Sequence, residues 1–412
     1  MSVGATLMGF AAGCSSQPMA QMTPFQDPGS DAPITWYMDV LPIARASCQG
    51  CHADGGIAPF SMTRYDDAKA KADLIAQHVE DRTMPPWMPD PSCGDFLDDR
   101  RLPDDQVKTL LDWVSTGAQE GDPADAPPGG DAVAQHLEDA SATLMPDGVY
   151  TPVGDPNDPT KLDDYHCTII DPKLDVDQDV IATEVVPGVV REVHHVILFT
   201  VPAADAQAKD ATTPEAGWTC FGGPETGGNF QSLGSLGGWV PGMPPTHFPA
   251  TTGIHLKKGD VIVMQVHYNL LNGPPLPDRT IIKLAYSPTP VEKQALFFPA
   301  YNLGFSIPPH AESYDSSATQ NVPIDVQAWG VLPHMHTLGK HISLKTADKC
   351  LVDVPKWDFH WQQQYFYKQP ISLSAGEAAT ISCNWSNPTD NTVTFGESTS
   401  DEMCLAFLYV TF

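Results

Sequence analysis

Basic side chains are scarce in this chain. Lysines and arginines number 22 against 51 aspartates and glutamates, which leaves a net charge of −29. So acidic a surface lacks the cationic footprint that nucleic acid or an anionic membrane face requires, and neither is expected as a partner. Long apolar runs are lacking as well. Beyond the first 13 residues nothing approaches the roughly 18 consecutive apolar residues of a spanning helix. No internal repeat and no low-complexity tract occurs, so 412 residues must divide into two or three ordinary domains, each with its own core.

What is abundant is turn chemistry. Forty prolines and 32 glycines favour a turn-rich β protein with extended linkers over a helical bundle. Residues 31–125 depart from that trend. There DDAKAKADLIAQHVEDR and LPDDQVKTLLDWVSTGA carry helical periodicity, the second with Asp104 and Asp105 at its start and Gly117 at its stop. This part reads as a small all-α unit. The Asp-, Pro-, Gly- and Ala-rich stretch 126–160 reads as a linker. From 161 onward, short β-branched and aromatic runs such as VVREVHHVILFTV and GDVIVMQVHYNL alternate with turn residues. That spacing predicts antiparallel β-sandwiches, over 161–290 and 291–412, and a chain that is mainly β.

The first residues, MSVGATLMGFAAG, are small and apolar and lead to Cys14-Ser15-Ser16. They resemble the end of a bacterial lipoprotein signal, although the usual preceding Lys or Arg is missing. Residues 1–30 are therefore expected to be a signal-like segment and tether with a possible lipid anchor at Cys14. The location expected is exported, either periplasmic or anchored at the outer membrane. Cysteine usage agrees, since Cys93, Cys167, Cys220, Cys350, Cys383 and Cys404 would be free to pair in an oxidising compartment. Six cysteines allow 15 pairings, so spacing alone selects none.

Cys48-Gln49-Gly50-Cys51-His52 is the pattern of covalent haem attachment. Two thiols can add to the haem vinyl groups while His52 takes one axial position. For the opposite axial position Met84 is the choice, because Pro85 and Pro86 stiffen its loop, with Met88 and Met62 as rivals. A Met/His haem has a raised potential suited to electron transfer. Residues 31–125 are accordingly expected to be a c-type cytochrome domain.

Three strand-like segments further on supply His194 and His195, His267, and His334 with His336; a fourth supplies Met403. Imidazole serves both oxidation states of copper, and a thioether favours the reduced one. His334 and His336 are spaced i, i+2, so on a strand both point to one face. His194 and His195 are adjacent, so they can share a metal only at a bulge, a twist or a strand end. His267 lies on the Val261, Val263, Gln265 face of its strand, where a core histidine is the competing reading.

The ordered wording HHV, QVHY, HMHTLGK and DEMC closely resembles the copper type II, ascorbate-dependent monooxygenase family. The resemblance covers roughly 160–412. It implies two tandem jelly-roll-like β-sandwich domains and two copper ions. His194, His195 and His267 would hold an electron-storing copper; His334, His336 and Met403 would hold the copper that binds dioxygen. It also implies a Cys383–Cys404 disulfide, with Cys167–Cys220 as a second candidate pairing. The activity implied is hydroxylation of an activated C–H bond of a small organic substrate. Dioxygen and an external reductant, either ascorbate or a redox protein, would be consumed. Gln265, beside His267, either orients water or substrate or simply fills a strand position.

Departures bear on the substrate. Peptide-hydroxylating members of the family use an arginine two residues before the HxH pair. They also use an asparagine and a tyrosine two and four residues after the methionine. Here Leu332, Leu405 and Phe407 stand at those places, which disfavours a carboxylate-anchored peptide and suits an apolar or aromatic substrate. The fused haem would relay electrons to the His194/His195/His267 copper. The alternative is a haem- and copper-bearing electron-transfer or copper-handling protein without hydroxylase activity.

Overall fold

Four short helices open the folded chain: α1 (Leu41–Ser47), which continues a π turn over Trp36–Val40, α2 (Tyr65–Lys69), α3 (Ala72–Glu80) and α4 (Asp104–Ser115). Each buries one stripe. Ala72, Ile75 and Val79 of α3 meet Val107, Leu110 and Trp113 of α4 over Trp36, Val40 and Leu41. The computed structural model describes residues 33–54, 58–128, 136–158, 161–220, 223–226, 234–240, 243–271, 273–396 and 401–412. The expectations for residues 1–30, including Cys14, lie outside them.

Ten strands form the first half of the β region: β1 (Ala142–Leu144), β2 (Asp163–Ile170), β3 (Gln178–Val186), β4 (Val193–Pro202), β5 (Trp218–Thr219), β6 (Gly234–Trp239), β7 (Thr246–His247), β8 (Thr252–Leu256), β9 (Asp260–Asn269) and β10 (Ile281–Tyr286). Helix α5 (Ala203–Asp210) follows β4. Ten more form the second: β11 (Lys293–Tyr301), β12 (Ser306–Ile307), β13 (Ala311–Asn321), β14 (Val326–His334), β15 (Gly339–Lys345), β16 (Cys350–Val354), β17 (Tyr365–Leu373), β18 (Ala378–Asn387), β19 (Val393–Thr394) and β20 (Leu405–Thr411).

Two sandwiches result, and they share a wall. A nine-stranded sheet runs β1-β10-β3-β8-β11-β20-β14-β17, with β7 against β3. Its first part faces the five-stranded sheet β5-β2-β9-β4-β6 around Val196, Leu198, Met264, Val266, Ile282 and Leu284. Its second part faces the four-stranded sheet β13-β18-β15-β16 around Val331, Ile342, Leu344, Ile381, Trp385 and Leu408. The junction is a parallel pairing of β8 with β11, Thr252 opposite Lys293 and Ile254 opposite Ala295. Tyr409 of β20 crosses the junction: its ring belongs to the first core and its hydroxyl lies 3.1 Å from Thr252 Oγ1.

Two segments expected to be irregular are built into this frame. Within 126–160, β1 pairs with β10, and His136 and the Leu137 amide both contact the Glu184 carboxylate. Between α3 and α4 the chain leaves the helices as a strap over the second sandwich. There the Asp90 amide donates to Asp353 O and the Leu97 amide to Phe366 O, while Lys368 N donates back to Asp95 O. Phe96 packs on Tyr365 and Tyr367, and Cys93 is bonded to Cys350 across 257 residues. The structure also forms Cys167–Cys220 and Cys383–Cys404, the two pairings that the family resemblance suggested.

Because Cys93–Cys350 closes so long a loop, replacing both cysteines by serine should cost about 2–4 kcal/mol in denaturant unfolding. Proteolysis of the variant should begin in the strap, residues 81–102. Cleavage there no faster than in the parent would show that the surrounding contacts suffice without the bond.

Candidate metal centres

His195 and His267 face each other across the β4–β9 ladder, on the side of the five-stranded sheet away from its core. The register of β4 slips between Val193 and His195, so His194 is the extra residue of a β-bulge. That is what lets two adjacent imidazoles turn to one point. His194 Nδ1 and His267 Nδ1 each lie 3.3 Å from His195 Nδ1. The three rings form a cluster whose ligand atoms all fall within 4.8 Å of one another.

Their surroundings set the tautomers. His267 Nε2 donates to Asp163 Oδ1 at 2.8 Å, an oxygen that also accepts from Asn269, so the lone pair of His267 sits on Nδ1, inside the cluster. Tyr165 stacks flat on the same ring at 4.1 Å. Burial, followed by the neighbouring histidines His267 and His194, drives His195 well below the ordinary imidazole range. Neutral nitrogens at such spacing make a suitable donor set for a borderline cation like copper.

His334 ends β14, opposite Leu405 of β20, and His336 lies two residues on. Their Nδ1 atoms are both donors, His334 to Gln362 Oε1 and His336 to the Asp401 carbonyl at 3.0 Å. Nε2 is therefore the basic nitrogen of each ring. Burial, with His336 close by, lowers His334 to about 3. Met403 is buried two residues before β20. Next to it the Glu402 carboxylate, fully buried, accepts from the amides of His336, Leu338 and Met403 and from Trp385 Nε1. Burial raises its carboxyl to about 7 against those donors.

One cavity of about 590 Å³ joins the two groups. One wall contributes His195, Tyr165, Ile197, Phe199 and Gln265; the other contributes His334, His336 and Met403. The second wall is apolar in register, because the ladder sets Pro299 and Leu332 on either side of Phe407. Phe359 stands between the groups, its ring 5.6 Å from His194 and 6.1 Å from His336. No lysine or arginine occurs among the described lining residues.

In the helical part, His52 N and Cys51 N both bond to Cys48 O, so one tight turn holds the three side chains of the CxxCH pattern together. Cys48 and Cys51 are free while the six other described cysteines are paired. Burial pushes the Cys48 thiol up to about 12, the opposite of the activated thiol in a redox CxxC pair. His52 Nδ1 donates to Phe60 O at 3.0 Å, which leaves Nε2 as the basic nitrogen. These residues fit covalent haem. Of the methionine candidates, Met62 is buried in the helical core. Met88 packs on the second sandwich, with its sulfur accepting from the Asp358 amide. Met84 is half-buried after α3, its amide bonded to His78 O.

In the sequence Phe359 reads first as packing, with a cleft-lining role as the alternative, and it lines the cavity. Sequence reading missed Asp163, Gln362 and Glu402. Only Glu402 carried a local signal, as an acidic residue directly before Met403; the others reach the site from strand ends or loops remote in sequence.

The depressed His334 yields a test on the metal-free protein. An unfolded chain binds this proton near pH 6.5, and the folded one only near 3. Stability that is intact above about pH 6.5 is therefore lost as pH falls toward 3, with a slope approaching about 1.4 kcal/mol per pH unit from this group. His334→Gln should flatten the pH dependence of the urea midpoint between these values. Equal slopes for variant and parent would refute the assignment.

Comparison with known proteins bears on the second sandwich. Residues 297–411 match the family model described as copper type II ascorbate-dependent monooxygenase, C-terminal domain. Over 168 residues the chain is 26% identical to "Putative DBH-like monooxygenase protein 2" of Homo sapiens, covering 36% of this chain and 34% of that protein. The chain thus spans about a third of the length of this curated relative. A chain of the solved "Structure of infectious bursal disease virus Gx strain" overlaps 66% of this chain and 72% of its own. At 12% identity and a TM-score of 0.14 that likeness carries no argument. The matched segment contains His334, His336 and Met403, and there the chain is similar to copper type II, ascorbate-dependent monooxygenases.

Proposed function

We propose that the protein is a copper-dependent monooxygenase that hydroxylates an activated C–H bond of a small, uncharged organic substrate with dioxygen. The observation that supports it most is a pair of unequal donor sets at one cavity: a three-imidazole cluster that reaches it through His195, and two imidazoles and a thioether that line its other side. Copper held by His194, His195 and His267, and by His334, His336 and Met403, would supply one-electron redox cycling and oxygen activation.

The chain's own residues do the rest. Asp163 and Gln362 orient the rings of His267 and His334, and burial keeps His195 and His334 neutral and ready to bind metal. Phe297, Pro299, Leu332, Leu405 and Phe407 present an apolar surface that excludes water and favours an apolar or aromatic substrate. Gln265 and Gln362 are polar members of the same lining. A substrate carboxylate would find no cationic partner among the described lining residues, so glycine-extended peptides fit poorly.

A haem held by Cys48, Cys51 and His52, with Met84 as a further ligand, would supply electrons from an external donor. Ascorbate or a redox protein would serve as that donor, and an exported setting suits both the thioethers and the disulfides.

Oxygen uptake by the copper-loaded protein, screened against small molecules with mass spectrometry, should reveal gain of one oxygen atom on neutral aromatic compounds. His334→Ala should abolish it. Efficient hydroxylation of glycine-extended peptides, with small aromatics ignored, would overturn the substrate class; copper binding without substrate-dependent uptake would favour a copper-handling protein. For the relay, Cys48→Ala with Cys51→Ala removes haem attachment but keeps the strap and Cys93. Copper reduction by the external donor should then slow in stopped flow, and an unchanged rate would exclude the relay.

A further inference from the structure

The pairing of β14 with β20 ends at His334 opposite Leu405. His336 and Met403 both lie beyond that last rung, so the ladder does not set their spacing. A single side chain spans the gap. Glu402 Oε2 accepts from His336 N at 3.0 Å, Met403 N at 3.2 Å and Trp385 Nε1 at 2.9 Å, while Oε1 accepts from Leu338 N at 2.6 Å. Trp385 is itself fully buried in the core of the second sandwich, paired with Tyr314 of β13 and Gly339 of β15. The carboxylate therefore ties the HxH segment and the methionine segment to one fixed point.

Four N–H donors meet this carboxylate, three on Oε2 and one on Oε1. They hold both oxygens toward backbone amides and Trp385, and a fully buried carboxylate would be costly without those partners. Neighbouring backbone reinforces the arrangement: the Asp401 carbonyl accepts from His336 Nδ1, and the Glu402 amide donates to Thr394 O. Three consecutive residues then serve one centre, Asp401 by orienting an imidazole, Glu402 by anchoring two backbones, and Met403 by its sulfur.

We propose that Glu402 is the positioning residue of the His334/His336/Met403 centre, and that its four-donor anchor on Trp385 holds the Met403 thioether and the His336 imidazole at ligand spacing. This rests on the reading that these three residues bind copper.

The test is X-ray absorption of the reduced, copper-loaded full chain, together with copper titration. The parent should show sulfur in the copper shell. Glu402→Ala should lose it and bind copper at this centre about tenfold more weakly or worse, about 1.4 kcal/mol. The three-histidine centre should still take its copper and, in the oxidised protein, keep its paramagnetic resonance signal. Glu402→Gln should retain the sulfur, because an amide oxygen at the Oε2 position still meets the His336, Met403 and Trp385 donors and only the Leu338 bond, now donor against donor, is lost. Should Glu402→Ala fail to fold, Glu402→Asp decides: the charge is kept but the carboxylate is drawn back by a methylene, and sulfur ligation should be lost. Undiminished sulfur with unchanged copper affinity in a folded Ala or Asp variant would overturn the proposal. A parent without sulfur ligation would overturn the copper reading on which it stands.

Discussion

Parallel pairing of β8 with β11 makes the two sandwiches parts of one sheet, and the site depends on that junction. Were the sandwiches joined only by a tether, each wall of the cavity could move independently. Tyr409 shows how closely the halves are keyed, since a residue of the last strand completes the first core. The histidines of β4 and β9 and His334 of β14 thereby stand on paired strands, with Phe359 between the two groups. Edge groups of β8 and β11 that would otherwise be exposed are also satisfied by the pairing.

Much of the site was legible because strand periodicity is simple. The i, i+2 spacing placed His334 and His336 together, and the Val261–Val263–Gln265–His267 face is the face found. The adjacent pair His194-His195 pointed to an irregularity without saying which kind; a bulge adds one residue and leaves no compositional mark. The disulfide Cys93–Cys350 could not be read from spacing, since contact between helical part and second sandwich is a tertiary matter. Nor could the strap: its prolines and aspartates read as loop, whereas its backbone groups bond to β16 and β17 and its aromatic residue fills a core. The polar stretch ahead of β2 likewise looked like a linker, because β1 is only three residues long and owes its place to β10.

Electrostatics here works by subtraction. The chain is strongly acidic, yet the described lining of the cavity holds neither lysine nor arginine, and burial keeps its His195 and His334 neutral. Carboxylates near the centres act on ligands from behind: Asp163 on an imidazole nitrogen, Glu402 on backbone amides. Carboxyl groups thus stand behind both clusters, bonded to ring nitrogen or backbone, while the described cavity lining is largely apolar.

The bond between Cys93 and Cys350 also imposes an order of events. During synthesis from the N-terminus, Cys93 emerges 257 residues before its partner. Throughout that interval Cys48 and Cys51 are the thiols nearest to it in sequence. Correct pairing is therefore a race against a nearer wrong partner. In a chain built this way, the strap is fixed only once the second sandwich has supplied Cys350, so the N-terminal part is completed last rather than first.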